Sequence, residues 1–398
     1  MVTLIGMGSG KWEALSTQAQ QAVRSAGLVF GAKRLLAGLP ADSMARQFAL
    51  YQPADILETL AQNPGQDAVV LYSGDTGFYS GASGLLTPLR ALGIPARVYP
   101  GVSSIQLLSA ALGRPWQDWK LVSAHGCACD PVAECMMNRS VFFLTGGTET
   151  PASLCQKLTD AGMGEAHGVV GENLGTEAEA IRYGSAAELA GQSFAPLSVL
   201  LVENFDLPQL RAPGFPDESF IRSEVPMTKQ EVRAAALAKL AVMPTDTLWD
   251  VGAGTGSVSV ELALAAPKGR VYAVECEPDA CELIRKNRAK FHACNLILIE
   301  GRAPDVLADL PAPDAVFIGG TKGGMEAVLD EVLGKNPNAR ICISAIALET
   351  LGAAIAALTA RGLTAEVTQI AVSRTKPAGR LHLLMANNPI FLITGTRK

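Results

Sequence analysis

The 398-residue sequence has no basic excess in either half. Residues 1–205 carry 12 Lys and Arg against 17 Asp and Glu, and the remainder carries 21 of each. Proteins that track a nucleic-acid backbone neutralise phosphates with clustered cations, so no nucleic-acid partner is expected. Eight cysteines are scattered without framework spacing, which fits free thiols in a reducing cytoplasm. His125, Cys127 and Cys129 come nearest to a metal motif, but H-x-C-x-C has neither zinc spacing nor a fourth ligand, so no metal is expected. The N-terminus reads as a strand within two residues, without a basic n-region or an apolar h-region, so a signal peptide is not expected. No apolar run is long enough to span a bilayer, and no low-complexity tract or solenoid-period repeat is present. These absences leave a soluble cytoplasmic protein, long enough for two domains that each bury a core.

The stretch "NFDLPQLRAPGFPDESFIRSEVPMTK" (204–229) holds Pro208, Pro213, Pro216 and Pro226 in a mostly polar setting. Proline fixes φ and removes a backbone donor, so a sheet or helix does not continue easily through it. The expected division is a domain over 1–207, a linker over 208–224 and a second domain over 225–398. On each side, apolar runs alternate with helical patterns. "VTLIGMG", "AVVLYSG", "ARVYPG" and "SVFFLTGG" occur before the boundary; "TLWDVG", "RVYAVE", "LILIEG", "AVFIGG" and "RICISA" occur after it. This is the signature of an α/β fold with buried parallel strands. The last runs, "AEVTQIAVS", "LHLLMA" and "PIFLITG", suggest an antiparallel addition to that sheet. Ligands of open α/β sheets bind at strand carboxyl ends, and many of these ends are glycine or serine.

In "DVGAGTGSVSVE", Gly252, Gly254 and Gly256 follow the strand directly, and Glu275 ends the next strand 21 residues after Gly254. Glycine admits a tight turn and a close approach to a ligand. A carboxylate at the second strand end can accept both hydrogen bonds of a ribose diol. That much fits either NAD or S-adenosylmethionine. The G-x-G-x-G spacing favours the latter, because the dinucleotide fingerprint places a third glycine where Val258 and Ser259 stand.

Together "VPMTKQEVRAAALAKL", "DVGAGTGSVSVE" and "PDAVFIGGTKGG" resemble the C15-methylating, decarboxylating half of the precorrin-6Y C5,15-methyltransferases of cobalamin synthesis. The resemblance runs from about Val225 to the C-terminus and implies a Rossmann-like class I methyltransferase domain. It implies S-adenosylmethionine contacts at Thr228, at Gly252, Ala253, Gly254, Thr255 and Gly256, at Glu275, and at Ala303. Thr228, three residues before Glu231, also reads as the first half of a helix capping box.

"LIGMGSG" (4–10) has glycines but no acidic residue at the end of the next strand, so alone it says little. With "LYSGDTGFYSGA", "YPGVSSIQ", "SAHG" and "FLTGG" it resembles the class III tetrapyrrole methyltransferases, which hold the cofactor between two α/β lobes. This second resemblance, to the C5-methylating half of the same enzymes, covers about Val2 to Asp206. It carries cofactor contacts onto Gly74, Asp75, Phe78, Ser103 and Ser104. One departure is Thr76, where the family usually has proline after Gly-Asp. A chain with both halves is expected to bind S-adenosylmethionine at two sites and to make two methyl transfers.

Methyl transfer needs no protein nucleophile; the decarboxylation additionally needs a group to move a proton. The sequence does not single out that group; His125 is a candidate proton carrier. The tetrapyrrole substrate is fringed with carboxylates, so cations on loops are candidate contacts: Lys322, Arg374 and Arg380, together with Lys376. "NNPI" (387–390) resembles the NPP[YF] motif of amino-methylating enzymes but precedes the last strand, so it reads as a turn. The competing readings are an RNA methyltransferase with an accessory lobe, and a non-catalytic binding module for S-adenosylmethionine or tetrapyrrole. A homo-oligomer is expected.

Overall fold

Nineteen strands carry the architecture of the computed structural model, which describes every residue except Asp42, Cys127 and Lys398. Cys127, part of the metal reading, therefore lies outside the described residues. Among those described, no group of three His, Cys, Asp or Glu could hold a metal ion, and no helix is long and apolar enough to cross a membrane. The chain divides into two compact units. The first comprises Met1–Cys129, Ser140–Gln156 and Glu165–Glu203; the second comprises Asp130–Arg139, Lys157–Gly164 and the chain from Asn204 onward.

The first unit holds two sheets. β1 (Val2–Gly6), β2 (Leu28–Phe30), β3 (Arg46–Phe48), β4 (Ala68–Tyr72) and β5 (Ala96–Tyr99) form a parallel sheet in the order β3-β2-β4-β1-β5. Alternate residues of β1 face opposite sides: Ile5 joins one core cluster with Val29 and Val69, while Leu4 joins another with Phe30 and Val70. This is how a strand buried on both faces reads as an unbroken apolar run. β6 (Lys120–Ser123), β7 (Ser140–Leu144), β8 (His167–Glu172), β9 (Ala180–Ser185) and β10 (Ser198–Glu203) form a mixed sheet in the order β6-β7-β10-β8-β9.

The second unit is built on one seven-stranded sheet. β11 (Thr247–Val251), β12 (Arg270–Glu275), β13 (Leu296–Glu300), β14 (Ala315–Ile318) and β15 (Arg340–Ala345) run parallel. β16 (Thr364–Ile370) and β19 (Ile390–Thr396) complete the order β13-β12-β11-β14-β15-β19-β16, with β19 antiparallel to both its neighbours. Strand order reverses between β11 and β14, and a ligand crevice is expected at that switch point. The class I methyltransferase architecture expected for this half is present. The antiparallel ending is too, with one difference. The expected strand "AEVTQIAVS" divides into β16 and β17 (Ser373–Ala378), and β17 pairs with β18 (Leu381–Ala386) in a separate, exposed hairpin.

The proline-rich segment is not a loose tether throughout. Phe215 and Phe220 belong to the second unit's core, each only 4% exposed. Both pack on Phe291, with ring centroids 5.2 Å and 4.7 Å away. Prolines bar regular structure here, yet they leave the intervening aromatic side chains free to be buried. The linker expected over 208–224 is corrected accordingly: its second half is part of the second domain.

Candidate functional sites

In the second unit, the carboxyl ends of β11, β12, β14 and β15 border a cavity of about 1110 Å³. It brings together Thr228, Gly252, Ala253, Gly254, Thr255, Glu275 and Ala303, seven residues from four segments of sequence. The glycines of the turn differ in what requires them. A Cβ on Gly252 would lie 2.3 Å from the Gly320 carbonyl oxygen, so this glycine permits strand ends β11 and β14 to approach. A Cβ on Gly256 would lie 2.9 Å from Ile284, and Gly256 does not line the cavity. Gly256 therefore serves the packing of helix Ser257–Ala265 on helix Pro278–Lys290. Gly254, with φ +56°, faces the cavity, its nearest neighbour being the Pro226 carbonyl at 3.3 Å from a built Cβ.

Glu275 does more than end a strand. Its carboxylate accepts the backbone N–H of Gly254 and Cys276 at 2.8 Å each, and of Glu277 at 3.0 Å. Three of about four acceptor sites are thus used by the protein, which fixes the turn and leaves limited capacity for a ligand. The Thr255 hydroxyl is buried in the turn with no hydrogen-bond partner among the described residues. Behind it, burial pushes the Asp250 carboxyl up to about 7, against a lowering hydrogen bond from the Ser259 hydroxyl. A neighbouring negative charge on Glu275 adds to the rise.

Thr228 is not a helix cap. The helix starts at Gln230, Lys229 occupies the N-cap position, and no side chain caps it locally. Asp217 supplies that service from thirteen residues away, accepting the Gln230 N–H at 2.9 Å. Glu231, read as the partner of Thr228 in a capping box, instead pairs with Arg374 at 2.8 Å. Arg374 also reaches Asp217 at 3.2 Å, so it is committed to the protein and does not line the cavity. Arg380, at the tip of the β17–β18 hairpin, and Lys376 likewise lie off the cavity wall. Lys322 lines the cavity, paired with Glu277, and that pairing holds the Glu277 carboxyl below its usual range. The sequence reading missed Lys229, Arg302, Ile346 and Glu349, which also line it. Asn387 and Asn388 of "NNPI" do so as well, from the loop before β19, and so does Ile390, the first residue of β19.

In the first unit, the ends of β1, β4 and β5 meet at three glycines. A Cβ on Gly101 would lie 2.3 Å from the Gly74 oxygen and 2.5 Å from the Gly6 oxygen. Above them is a cavity of about 280 Å³ lined by Gly74, Asp75, Phe78, Ser103, Ser104 and His125, every residue expected for the first site. A Cβ on Gly74, at φ +65°, would meet nothing within 4 Å, so this backbone faces open space. Asp75 ties the loop, accepting the N–H of Gly77 at 2.9 Å and of Gly101 at 3.1 Å. Thr76, standing where proline is usual, donates its hydroxyl to the Tyr99 carbonyl at 3.3 Å and so anchors the turn by a hydrogen bond. His125 lies against Gly146, where a Cβ would overlap the imidazole at 1.8 Å. Arg34, Tyr79, Thr145 and Asn173 also line this cavity and were not singled out in the sequence.

Comparison with known proteins matches residues 1–190 to the family of tetrapyrrole (corrin/porphyrin) methylases and residues 219–397 to the precorrin methyltransferase domain. A precorrin-6Y C(5,15)-methyltransferase [decarboxylating] from Sinorhizobium sp is 32% identical over 338 residues, covering 83% of this chain and 81% of that protein. A probable cobalt-precorrin-6B C(15)-methyltransferase (decarboxylating) from Pyrobaculum calidifontis is 46% identical, covering 46% of this chain and 95% of its own length. A crystal structure of precorrin-6Y C5,15-methyltransferase from Geobacter metallireducens is 38% identical, with a TM-score of 0.46, covering 48% of this chain and 100% of that one. With two methylase halves matched in order, and one relative aligned across most of the sequence, the chain belongs to the decarboxylating precorrin-6Y C5,15-methyltransferases.

Proposed function

We propose that this enzyme methylates precorrin-6B at C5 and C15 and removes the carboxyl group of the C12 acetate, giving precorrin-8 in cobalamin synthesis. Methyltransferases of this family use S-adenosylmethionine. The reading here is that each cavity holds one molecule, the first unit serving C5 and the second serving C15 and decarboxylation. The observation that carries it is the pair of separate cavities, each bordered by a left-handed glycine open to the cavity. Ligand pockets commonly measure about 300–1,000 Å³. A cavity of about 280 Å³ suits a single cofactor, and one of about 1110 Å³ has room for a cofactor with a substrate beside it.

S-Adenosylmethionine supplies a methyl group on a sulfonium, open to in-line attack by a ring carbon. The residues of the chain bind and orient. In the second unit, Glu275 and the Gly254 backbone hold the ribose end, and the buried Thr255 hydroxyl offers an unused donor. Lys229 and Arg302 line the cavity without a carboxylate partner among the described residues, and they receive substrate carboxylates by charge-assisted hydrogen bonds. Holding reactants in attack geometry accounts for much of the rate of such a transfer. In the first unit, Gly74 and Asp75 present the loop backbone, and Phe78, Ser103 and Ser104 complete the wall. His125 is the residue of that wall suited to carry a proton.

The same reading places the enzyme in the cytoplasm as a homo-oligomer. The scatter of the eight cysteines without framework spacing supports the first statement, and the exposed Leu381, Leu383 and Leu384 of β18 support the second. Incubating the purified chain with S-adenosylmethionine and precorrin-6B, then weighing the product, tests the function. A gain of two methyl groups with loss of one carbon dioxide is expected. Binding without turnover, or methylation of RNA, overturns it.

A further inference from the structure

The segment from Gly214 to Lys229 reaches two places at once. Its last five residues, Val225–Lys229, form a wall of the larger cavity, with the Pro226 carbonyl next to Gly254. Its first residues are clamped by Arg233, whose side chain is wholly buried. Arg233 Nε donates to Glu261 at 2.8 Å, and one terminal nitrogen donates to Asp217 at 2.9 Å. That terminal nitrogen also donates to the Thr228 carbonyl, and the other donates to the Phe215 carbonyl. Glu261 in turn accepts the Gly214 N–H at 2.6 Å and the Phe215 N–H at 3.1 Å. One guanidinium therefore binds both ends of the segment, and the end it holds at Thr228 borders the cavity.

Stability does not explain such a group. A buried ion triad costs several kcal/mol per ion in desolvation, and apolar replacements are often as stable or more so. What a fully bonded guanidinium does provide is a fixed geometry for each acceptor, because its planar fork leaves little freedom. A second buried group acts in the same direction. Asn287 accepts the Ile221 N–H at 2.8 Å and donates to the Thr255 carbonyl at 2.9 Å, joining the segment to the glycine turn.

We propose that Arg233 is a positioning residue for the larger cavity: it fixes Thr228, and with it the wall facing Gly254, so that the segment 214–229 sets affinity for S-adenosylmethionine in the decarboxylating reaction. This rests on the assignment of that cavity to the C15 step.

The test uses the full chain and follows carbon dioxide release against S-adenosylmethionine concentration, with C5 transfer to the C15-methylated, decarboxylated intermediate as an internal control. Two variants are compared with wild type: Arg233→Lys, and the double variant Arg233→Met with Glu261→Gln. The double variant removes the ion pair while leaving Asp217 with Arg374, so no buried charge loses all its partners. For both variants KM for S-adenosylmethionine in carbon dioxide release should rise about tenfold or more, with kcat changed less than about threefold and the C5 step unchanged. A folded double variant with KM within about twofold of wild type overturns the proposal. So does collapse of both variants below the assay temperature, which would make the network purely structural. Absence of carbon dioxide release from wild type would instead defeat the functional assignment.

Discussion

Cutting the chain before Arg222 should destroy the second domain, whereas cutting before Pro208 should not. The shorter fragment loses Phe215, Asp217 and Phe220. Removing a buried phenylalanine side chain costs about 3–5 kcal/mol, and two are lost here. Arg233 keeps Glu261 but loses Asp217 and the Phe215 carbonyl, and breaking a buried charge network costs about 3–5 kcal/mol more. The total, about 9–15 kcal/mol, falls in the upper part of the range for the whole stability of an ordinary domain, about 5–15 kcal/mol. Residues 208–398 should therefore melt cooperatively and bind S-adenosylmethionine, and residues 222–398 should do neither. Circular dichroism melts of the two fragments, with calorimetry on each, measure this. If the shorter fragment unfolds within a few degrees of the longer one, the segment 208–221 is only a tether and the reasoning fails.

Glu275→Ala should weaken S-adenosylmethionine binding by the second domain at least about tenfold by calorimetry on residues 208–398, since it removes a charged acceptor and orphans three turn N–H groups; unchanged affinity would dismiss Glu275 as a cofactor residue. Asp250 sets a pH dependence. Its folded-state pKa is raised from 3.8 to about 7, so its contribution to stability is intact below about pH 4 and declines as pH rises through about 7. At about 1.4 kcal/mol per unit, that shift is worth on the order of 4 kcal/mol. Asp250→Asn should flatten the fall in Tm between about pH 4 and about pH 7, and an unaltered slope would exclude Asp250 as its source.

Much of this was legible in the sequence because it rests on local chemistry. A glycine-rich turn after an apolar strand, with an acid ending the next strand, needs no tertiary information to read, and Gly254 and Glu275 fell where expected. The same holds for Gly74, Asp75 and the serines that open helix Ser104–Leu112. The packing of Gly256 on Ile284 was not legible, since it depends on a helix that follows in the next βα unit. Arg233 was hidden for a related reason. In "QEVRAAALAKL" it reads as one charge on a solvated helix face, and its burial depends on Asp217 and Glu261, 16 and 28 residues away. Arg374 failed in the opposite direction: it reads in the sequence as a free cation on a loop, but it lies in β17 and two carboxylates from other segments already hold it.

Two independent sites in one chain are tested most directly by disabling one of them. Gly254→Val places a branched side chain at φ +56° on the wall of the larger cavity, away from the packed contacts of Gly252 and Gly256. The purified variant is given S-adenosylmethionine and, separately, precorrin-6B and the C15-methylated, decarboxylated intermediate. It should release no carbon dioxide from the former and still transfer the last methyl to the latter. Failure of that last transfer, with the first domain still folded, would mean that both reactions share one centre.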